Sequence, residues 1–278
     1  MIRCGFALIE AGHCLHPQAM ARRGASLCPT RFPALVGVIR HPGEGVILFD
    51  TGYDPAFFAA TDRFPERLYR WTTPVKLGPG EAAVDQLARA GVAPDAVTAI
   101  VLSHFHGDHI AGLAAFPAAR LFCARAGLEE LRTRGRFGGV RRGLLAALVP
   151  REPQRRTTFF EDLPRVTLAG DFAPFDQGVD LFGDGALFAV ELPGHCTGHW
   201  GLALAIEDGR RLMLVGDAAW SIGAIRDDAP PPRLTTALLG NTGRYRATLN
   251  ALHRLTTRNR EMVLLPSHCP EAAQTFIG

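Results

Sequence analysis

The stretch His104-Phe105-His106-Gly107-Asp108-His109 places three imidazoles and one carboxylate within six positions. It directly follows the apolar run Ala99-Ile100-Val101-Leu102, which predicts a buried strand that ends at the cluster. A loop at the end of a rigid strand keeps side chains both accessible and fixed. Packed without a cation, these polar groups would compete for too few partners. The stretch therefore predicts a metal site, and its side chains suit two adjacent cations better than one.

Other predicted strands also end at residues of the ligand type. They are the runs 45–49 before Asp50, 187–192 before His195, 211–215 before Asp217 and 262–265 before His268. Strand ends that meet at one sheet edge would bring these side chains together with the cluster at 104–109. The ligand types then divide into two sets and a bridging carboxylate: His104, His106 and His195; Asp108, His109 and His268; and Asp217 between them.

The chemistry of these ligands indicates a catalytic centre. Nitrogen and oxygen donors without thiolate suit two Zn²⁺ ions, and also iron or manganese. Each set leaves room for a water molecule, as catalytic sites do. A water shared between two cations has a strongly lowered pKa and supplies hydroxide near neutral pH. Asp108 and Asp217 are the carboxylates that we expect to act in catalysis.

This pattern resembles that of metallo-β-lactamase-fold hydrolases, whose signature is His-x-His-x-Asp-His followed by a His, a bridging Asp and a late His. The seven positions match in the family's order. The resemblance implies an α/β fold, a four-layer αββα sandwich, with residues 1–278 as a single domain. It also implies that Asp50 orients a metal ligand and that His199, in the motif Pro193-Gly194-His195-Cys196-Thr197-Gly198-His199, supports the site without binding metal.

Composition limits the class of protein, its location and its partners. The 278 residues carry a net charge of +3, 47% of them are apolar, and no apolar run reaches the length of ~20 that a membrane span needs. We expect a cytoplasmic protein, since the N-terminus lacks the pattern of an export signal. Six cysteines without CxxC spacing favour free thiols. The mild basic excess does not imply nucleic acid, and a homodimer is left open.

Residues 125–165 stand apart because they contain ten arginines: 125, 132, 134, 136, 141, 142, 151, 155, 156 and 165. The segment predicts an insertion of helices and loops between core strands, placed to cover the mouth of the site. A solvated basic surface and a role in substrate binding are equally good interpretations. Elsewhere, apolar spacing predicts a strand at 120–123, helices at 81–90 and 245–255, and a hairpin turn at 207–209.

Within the family, the chain is most similar to the lactonases that open N-acyl homoserine lactones. The expected substrate is therefore a small molecule with a hydrolysable carbonyl, attacked by a metal-bridging hydroxide. One departure concerns Trp220, which stands where those lactonases carry a substrate-contacting Tyr. Trp220 can donate one hydrogen bond but no catalytic proton. Either Asp108 supplies that proton, or a metal-bound leaving alkoxide needs no acid. Ser267-His268-Cys269 also replaces the family's Gly-His-Asp.

Other functions fit the same ligands. A thioesterase resembling glyoxalase II, a phosphodiesterase, and a mononuclear-iron oxygenase resembling persulfide dioxygenases are the alternative enzymes. Metal content separates these, because hydrolysis needs two cations and the oxygenase needs one iron. A binding protein without activity is disfavoured, since such a protein would have lost ligands and this chain has lost none.

Overall fold

A computed structural model describes residues 2–150 and 156–276 of the chain. Its first sheet has the order β7-β6-β5-β3-β2-β1, with β4 paired to β1. The strands of this sheet are β1 Arg3–Pro17, β2 Pro29–His41, β3 Gly45–Phe49, β4 Val75–Lys76, β5 Val97–Val101, β6 Arg120–Cys123 and β7 Thr157–Phe159.

The second sheet has the order β8-β9-β10-β11-β12-β13. Its strands are β8 Arg165–Thr167, β9 Gln177–Asp180, β10 Leu187–Glu191, β11 Trp200–Ile206, β12 Arg211–Gly216 and β13 Met262–Pro266. The two sheets meet where Arg3 and Cys4 of β1 pair in parallel with the end of β11.

Helices cover the outer face of each sheet. They are α1 Pro55–Ala60, α2 Arg67–Thr72, α3 Ala83–Arg89, α4 Gly107–Ile110, α5 Arg125–Thr133, α6 Arg136–Arg141, α7 Ile222–Arg226, α8 Arg233–Leu239, α9 Thr242–Arg258 and α10 Pro270–Phe276. Within residues 2–150 and 156–276, none of them is long and apolar enough to cross a membrane.

Three buried clusters hold these layers together. The central one lies between the sheets and joins residues such as Ile39 of β2 to Leu202 of β11. A second packs the outer face of the first sheet against α1, α3 and α5. The third packs α9, through Leu249 and Leu252, against the outer face of the second sheet. The layers are therefore helix, sheet, sheet and helix, which confirms the predicted αββα sandwich.

The structure changes the bounds of both predicted helices, and the helix expected at 81–90 is shorter, Ala83–Arg89. The strands expected at 45–49 and 120–123 have those bounds, whereas the helix expected at 245–255 runs over Thr242–Arg258. That helix begins early because the Asn241 side chain accepts a hydrogen bond from the Arg244 N–H and caps its first turn. The hairpin at 207–209 joins β11 and β12 as predicted.

The arginine-rich segment contains more than helices and loops. Besides α5 and α6 it holds β7, which pairs in parallel with β6 at the edge of the first sheet. A strand was not expected there. Two of its ten arginines, Arg151 and Arg155, lie outside the described residues.

Candidate metal centre

The predicted ligand residues meet at one edge of the sandwich. Parallel pairs of strands, β3 with β5 and β12 with β13, point their carboxyl ends towards this edge. The loops after five strands then supply the side chains, namely Asp50 after β3, residues 104–109 after β5, His195 after β10, Asp217 after β12 and His268 after β13. All of these ligand-type side chains are buried.

Three imidazoles form the first cluster. His106 Nδ1 lies 2.9 Å from His104 Nε2 and 3.0 Å from His195 Nε2. Burial lowers the pKa of His104 and of His195 well below the usual range, and lowers the pKa of His106 to about 4. The rings are therefore neutral near pH 7 and their lone pairs are available to a cation. Cys196 Sγ lies within reach of the same point.

A carboxylate and two imidazoles form the second cluster. Asp108 Oδ2 lies 3.2 Å from His268 Nε2 and 3.7 Å from His109 Nε2. Burial opposes a charged imidazole, but nearby carboxylates, Asp108 foremost, raise the pKa of His109 to about 9. The pKa of His268 is likewise raised, against burial, mainly by Asp217. The two clusters thus differ in charge before any cation binds.

Asp217 lies between the clusters and faces both. Its Oδ2 is 3.3 Å from His195 Nε2, and its Oδ1 is 3.2 Å from His268 Nε2. Burial would raise the pKa of this carboxyl, yet the charges of His268 and His109 hold it well below the usual range. Each oxygen of a single carboxylate therefore serves a different cluster.

Hydrogen bonds around the clusters fix which ring nitrogen faces inward. Asp50 Oδ2 accepts a bond from His109 Nδ1 at 2.8 Å, and its two oxygens also accept from the Ser103 N–H and hydroxyl. His268 Nδ1 donates to the Pro33 carbonyl at 2.7 Å. Because these acceptors hold a proton on each Nδ1, the Nε2 atoms of His109 and His268 face the centre, and their lone pairs become available to a cation once the second proton of each ring leaves.

His199 supports the centre through the backbone of the bridging residue. Its Nε2 accepts a hydrogen bond from the Asp217 N–H at 3.0 Å. Gly216 permits this approach because its φ is +54° and an added Cβ would lie 2.8 Å from His199 Nε2. The structure thus places Asp50 and His199 beside the ligand-type residues, at the positions that the resemblance implied for supporting groups.

The donor set fits two cations. Among the described residues, three buried polar atoms at the centre make no hydrogen bond, namely His106 Nε2, His109 Nε2 and Asp217 Oδ1, although Asp217 Oδ1 also lies in ion-pair range of His268 Nε2. Unpaired buried polar atoms are costly unless a ligand or ion compensates them. His109 Nε2 and Asp217 Oδ1 face each other across 3.5 Å, and neutral nitrogens with carboxylate oxygens are ligands that zinc, iron and manganese accept.

A cavity of about 490 Å³ opens over the centre. Its floor contains His106, Asp108, His195, Asp217 and His268, and its walls include Met20, Phe32, Val140, Leu238 and Leu239. Trp220 also lines the cavity, but its Nε1 donates to Asp217 Oδ2 at 2.9 Å. The indole ring, rather than its N–H, is thus available to a substrate.

Sequence reasoning missed several polar groups of the cavity wall. Cys14 and His16 of β1 both line the cavity, as does Thr73, whose Oγ1 lies 3.1 Å from His16 Nε2. The spacing of Cys14 and His16 places them on one face only if residues 3–17 form a strand, and that strand was not predicted. Ser103, which links Asp50 to the centre, carried no recognisable signal.

Comparison with known proteins agrees with this geometry. Residues 29–268 match the family model of the metallo-beta-lactamase superfamily. The chain belongs to this superfamily. One curated relative is the N-acyl homoserine lactonase AttM of Rhizobium radiobacter, 26% identical over 200 residues that make up 70% of this chain and 67% of the relative. Another is the N-acyl homoserine lactonase AiiB of Agrobacterium fabrum, 27% identical over 84% of this chain and 79% of the relative.

Two solved structures share the fold of this one. An N-acyl homoserine lactone hydrolase, with the product N-hexanoyl-L-homoserine at its catalytic metal centre, superposes with a TM-score of 0.74 and 18% identity over 99% of this chain and 97% of that one. The dizinc quorum-quenching lactonase AidC, bound to the same kind of product, superposes with a TM-score of 0.64 and 17% identity over 97% of this chain and 90% of that one.

Proposed function

We propose that this superfamily member is a hydrolase that uses two divalent cations, zinc or alternatively iron or manganese, to open a lactone or another activated ester. One observation carries the proposal: the two oxygens of Asp217 face two separate ligand clusters. His104, His106 and His195 would hold one cation, and Asp108, His109 and His268 the other, with Asp217 shared. A single-metal centre has no need for the second cluster.

Bound as a pair, the cations would supply hydroxide near neutral pH and would stabilise negative charge on the carbonyl oxygen. The side chains of the protein orient the ligands, transfer a proton and exclude water. Asp50 and His199 hold the ligand-type residues in orientation. Asp108 and Asp217 are the carboxylates that line the cavity. Against burial, the charges of His109 and His268 lower the pKa of Asp108, so Asp108 is ionised and would accept a proton from the attacking water before passing it to the leaving oxygen. The Trp220 ring and the apolar walls exclude water from the reacting carbonyl.

A lactone is favoured as substrate over a phosphodiester or thioester. AttM and AiiB are named as lactonases, and two structural neighbours hold the opened product N-hexanoyl-L-homoserine. The cavity is of a size that suits such a small molecule and is largely apolar beyond its floor.

The test is a substrate panel on metal-loaded protein. Lactones, thioesters and phosphodiesters are compared by kcat/KM, with Asp217→Ala as the control that abolishes the shared ligand. We expect lactone opening in the wild type and its loss in the variant. Turnover confined to phosphodiesters, or lactone turnover retained in Asp217→Ala, would overturn the proposal. One iron per chain with oxygen uptake would instead indicate the oxygenase.

A further inference from the structure

The exposed apolar side chains of this protein are concentrated around the cavity. Eight large apolar residues are exposed within residues 2–150 and 156–276. Seven of them lie on the segments 18–28, 62–72, 134–142 and 226–239, which we call the mouth segments. They are Met20, Leu27, Phe64, Trp71, Phe137, Leu234 and Leu238. Scattered single exposures are ordinary, whereas concentration in four segments around one opening indicates a binding surface.

Each mouth segment also contributes to the cavity lining, through Met20, Tyr69, Val140 and Leu238 in turn. The segments contact one another around the opening. The Arg23 N–H donates to the Pro230 carbonyl, Arg142 donates to the Leu238 carbonyl, and Arg136 donates to the Phe64 carbonyl. The Phe64 and Phe137 rings also pack edge to face at 5.5 Å. The exposed apolar residues therefore belong to one continuous rim.

The same rim is strongly basic. The mouth segments contain eleven arginines and four carboxylates. Six of these arginines form ion pairs. The other five make no ion pair within the described part of the chain, and every mouth segment has at least one of them: Arg23, Arg63, Arg141, Arg142 and Arg233. Every mouth segment thus combines an exposed apolar side chain with an arginine that has no ion-pair partner among the residues that the structure describes.

We propose that the mouth segments bind the surface of an anionic lipid bilayer. Large apolar side chains such as Trp71, which is 66% exposed, and Phe137, which is 63% exposed, would enter the boundary between headgroups and acyl chains. The unpaired arginines would lie among acidic headgroups. A second copy of the chain is a poorer occupant, because it would bring the same positive rim against itself. The binding is peripheral and does not depend on which reaction the centre performs.

The test is co-sedimentation of the full chain with vesicles. We expect binding to vesicles of phosphatidylcholine with phosphatidylserine, weakening as salt rises, and little binding to phosphatidylcholine alone. Each arginine at an anionic surface contributes about fivefold to the binding constant. Arg23→Gln with Arg63→Gln should therefore weaken binding by roughly 25-fold, and Trp71→Ala with Phe137→Ala should weaken it at every salt concentration.

The matched control is Arg258→Gln with Arg260→Gln. These exposed arginines precede β13, whose opposite end carries His268, so they lie away from the rim. We expect the control to bind like the wild type. An equal loss in the control would show that only net charge matters and would overturn the proposal. So would equal binding to uncharged vesicles, or an absence of vesicle binding together with a dimer that Trp71→Ala and Phe137→Ala dissociate.

Discussion

The substitution Asp50→Asn tests whether the Asp50 carboxylate orients His109, a predicted metal ligand, through the hydrogen bond to its Nδ1. The carboxylate is buried and its Oδ2 accepts hydrogen bonds from His109 Nδ1 at 2.8 Å and from the Ser103 hydroxyl at 2.7 Å. An amide placed there can present an N–H to these donors. His109 would then move its proton to Nε2, the nitrogen that faces the centre. Backbone strain is not added, because Asn tolerates the φ of +62° at this position as well as Asp does.

The magnitude follows from the bond that is lost. A hydrogen bond to a charged group contributes about 1.5–3 kcal/mol, which corresponds to roughly 10- to 150-fold in an equilibrium constant. Loss of a group that orients a metal ligand typically costs about 10- to 100-fold in metal affinity or activity. We therefore expect the cluster that contains His109 to bind its cation about 10- to 100-fold more weakly in Asp50→Asn.

Competition with a zinc-binding dye, followed as two sequential affinities, measures this change. The control is Asp54→Asn, the same substitution four residues away, where Asp54 Oδ1 caps α1 by accepting from the Ala56 N–H. We expect the control to keep both affinities. Wild-type affinity at both sites in Asp50→Asn would refute the argument that the carboxylate fixes the His109 tautomer.

Two further predictions concern the same centre. Trp220→Phe keeps an aromatic wall but removes the 2.9 Å bond to Asp217 Oδ2, so metal affinity should fall by about tenfold or more; an unchanged affinity would show that the indole N–H does not orient the bridge. Metal uptake at pH 7 should release about two protons at the second cluster, because the pKa values of His109, at about 9, and of His268 are raised and both rings are protonated there. Uptake by the three neutral imidazoles should release none. Calorimetry in buffers of different ionisation enthalpy measures the number of protons released at each cluster. Equal release in the two binding steps would contradict the assigned protonation states of the two clusters.

The sequence predicted the strands that lead into the candidate metal centre better than it predicted the other strands of the two sheets. Short apolar runs that end at a ligand-type residue, such as 45–49 before Asp50, have the expected bounds. By contrast, the long strands β1 and β2 were not predicted. A bulge between Glu10 and His13 interrupts the alternation of β1, and prolines at positions 29 and 33 weaken the strand pattern of β2.

The cavity wall was beyond sequence reasoning for a related reason. Cys14 and His16 reach the centre only because β1 pairs with β2 and because Thr73 is brought from a distant segment. Trp220 was predicted to bind substrate, and this stays a prediction. In the structure the Trp220 N–H donates to Asp217, three residues earlier in the chain. The sequence analysis did not predict this hydrogen bond.

The central claim is that two cations share Asp217. Its most direct test is the metal content per chain, measured by elemental analysis on the wild type and on Asp217→Asn under the same zinc supply. We predict about two zinc ions in the wild type and no more than about one in the variant, because an amide offers one oxygen to two clusters. One ion in the wild type, or two in Asp217→Asn, would contradict the account.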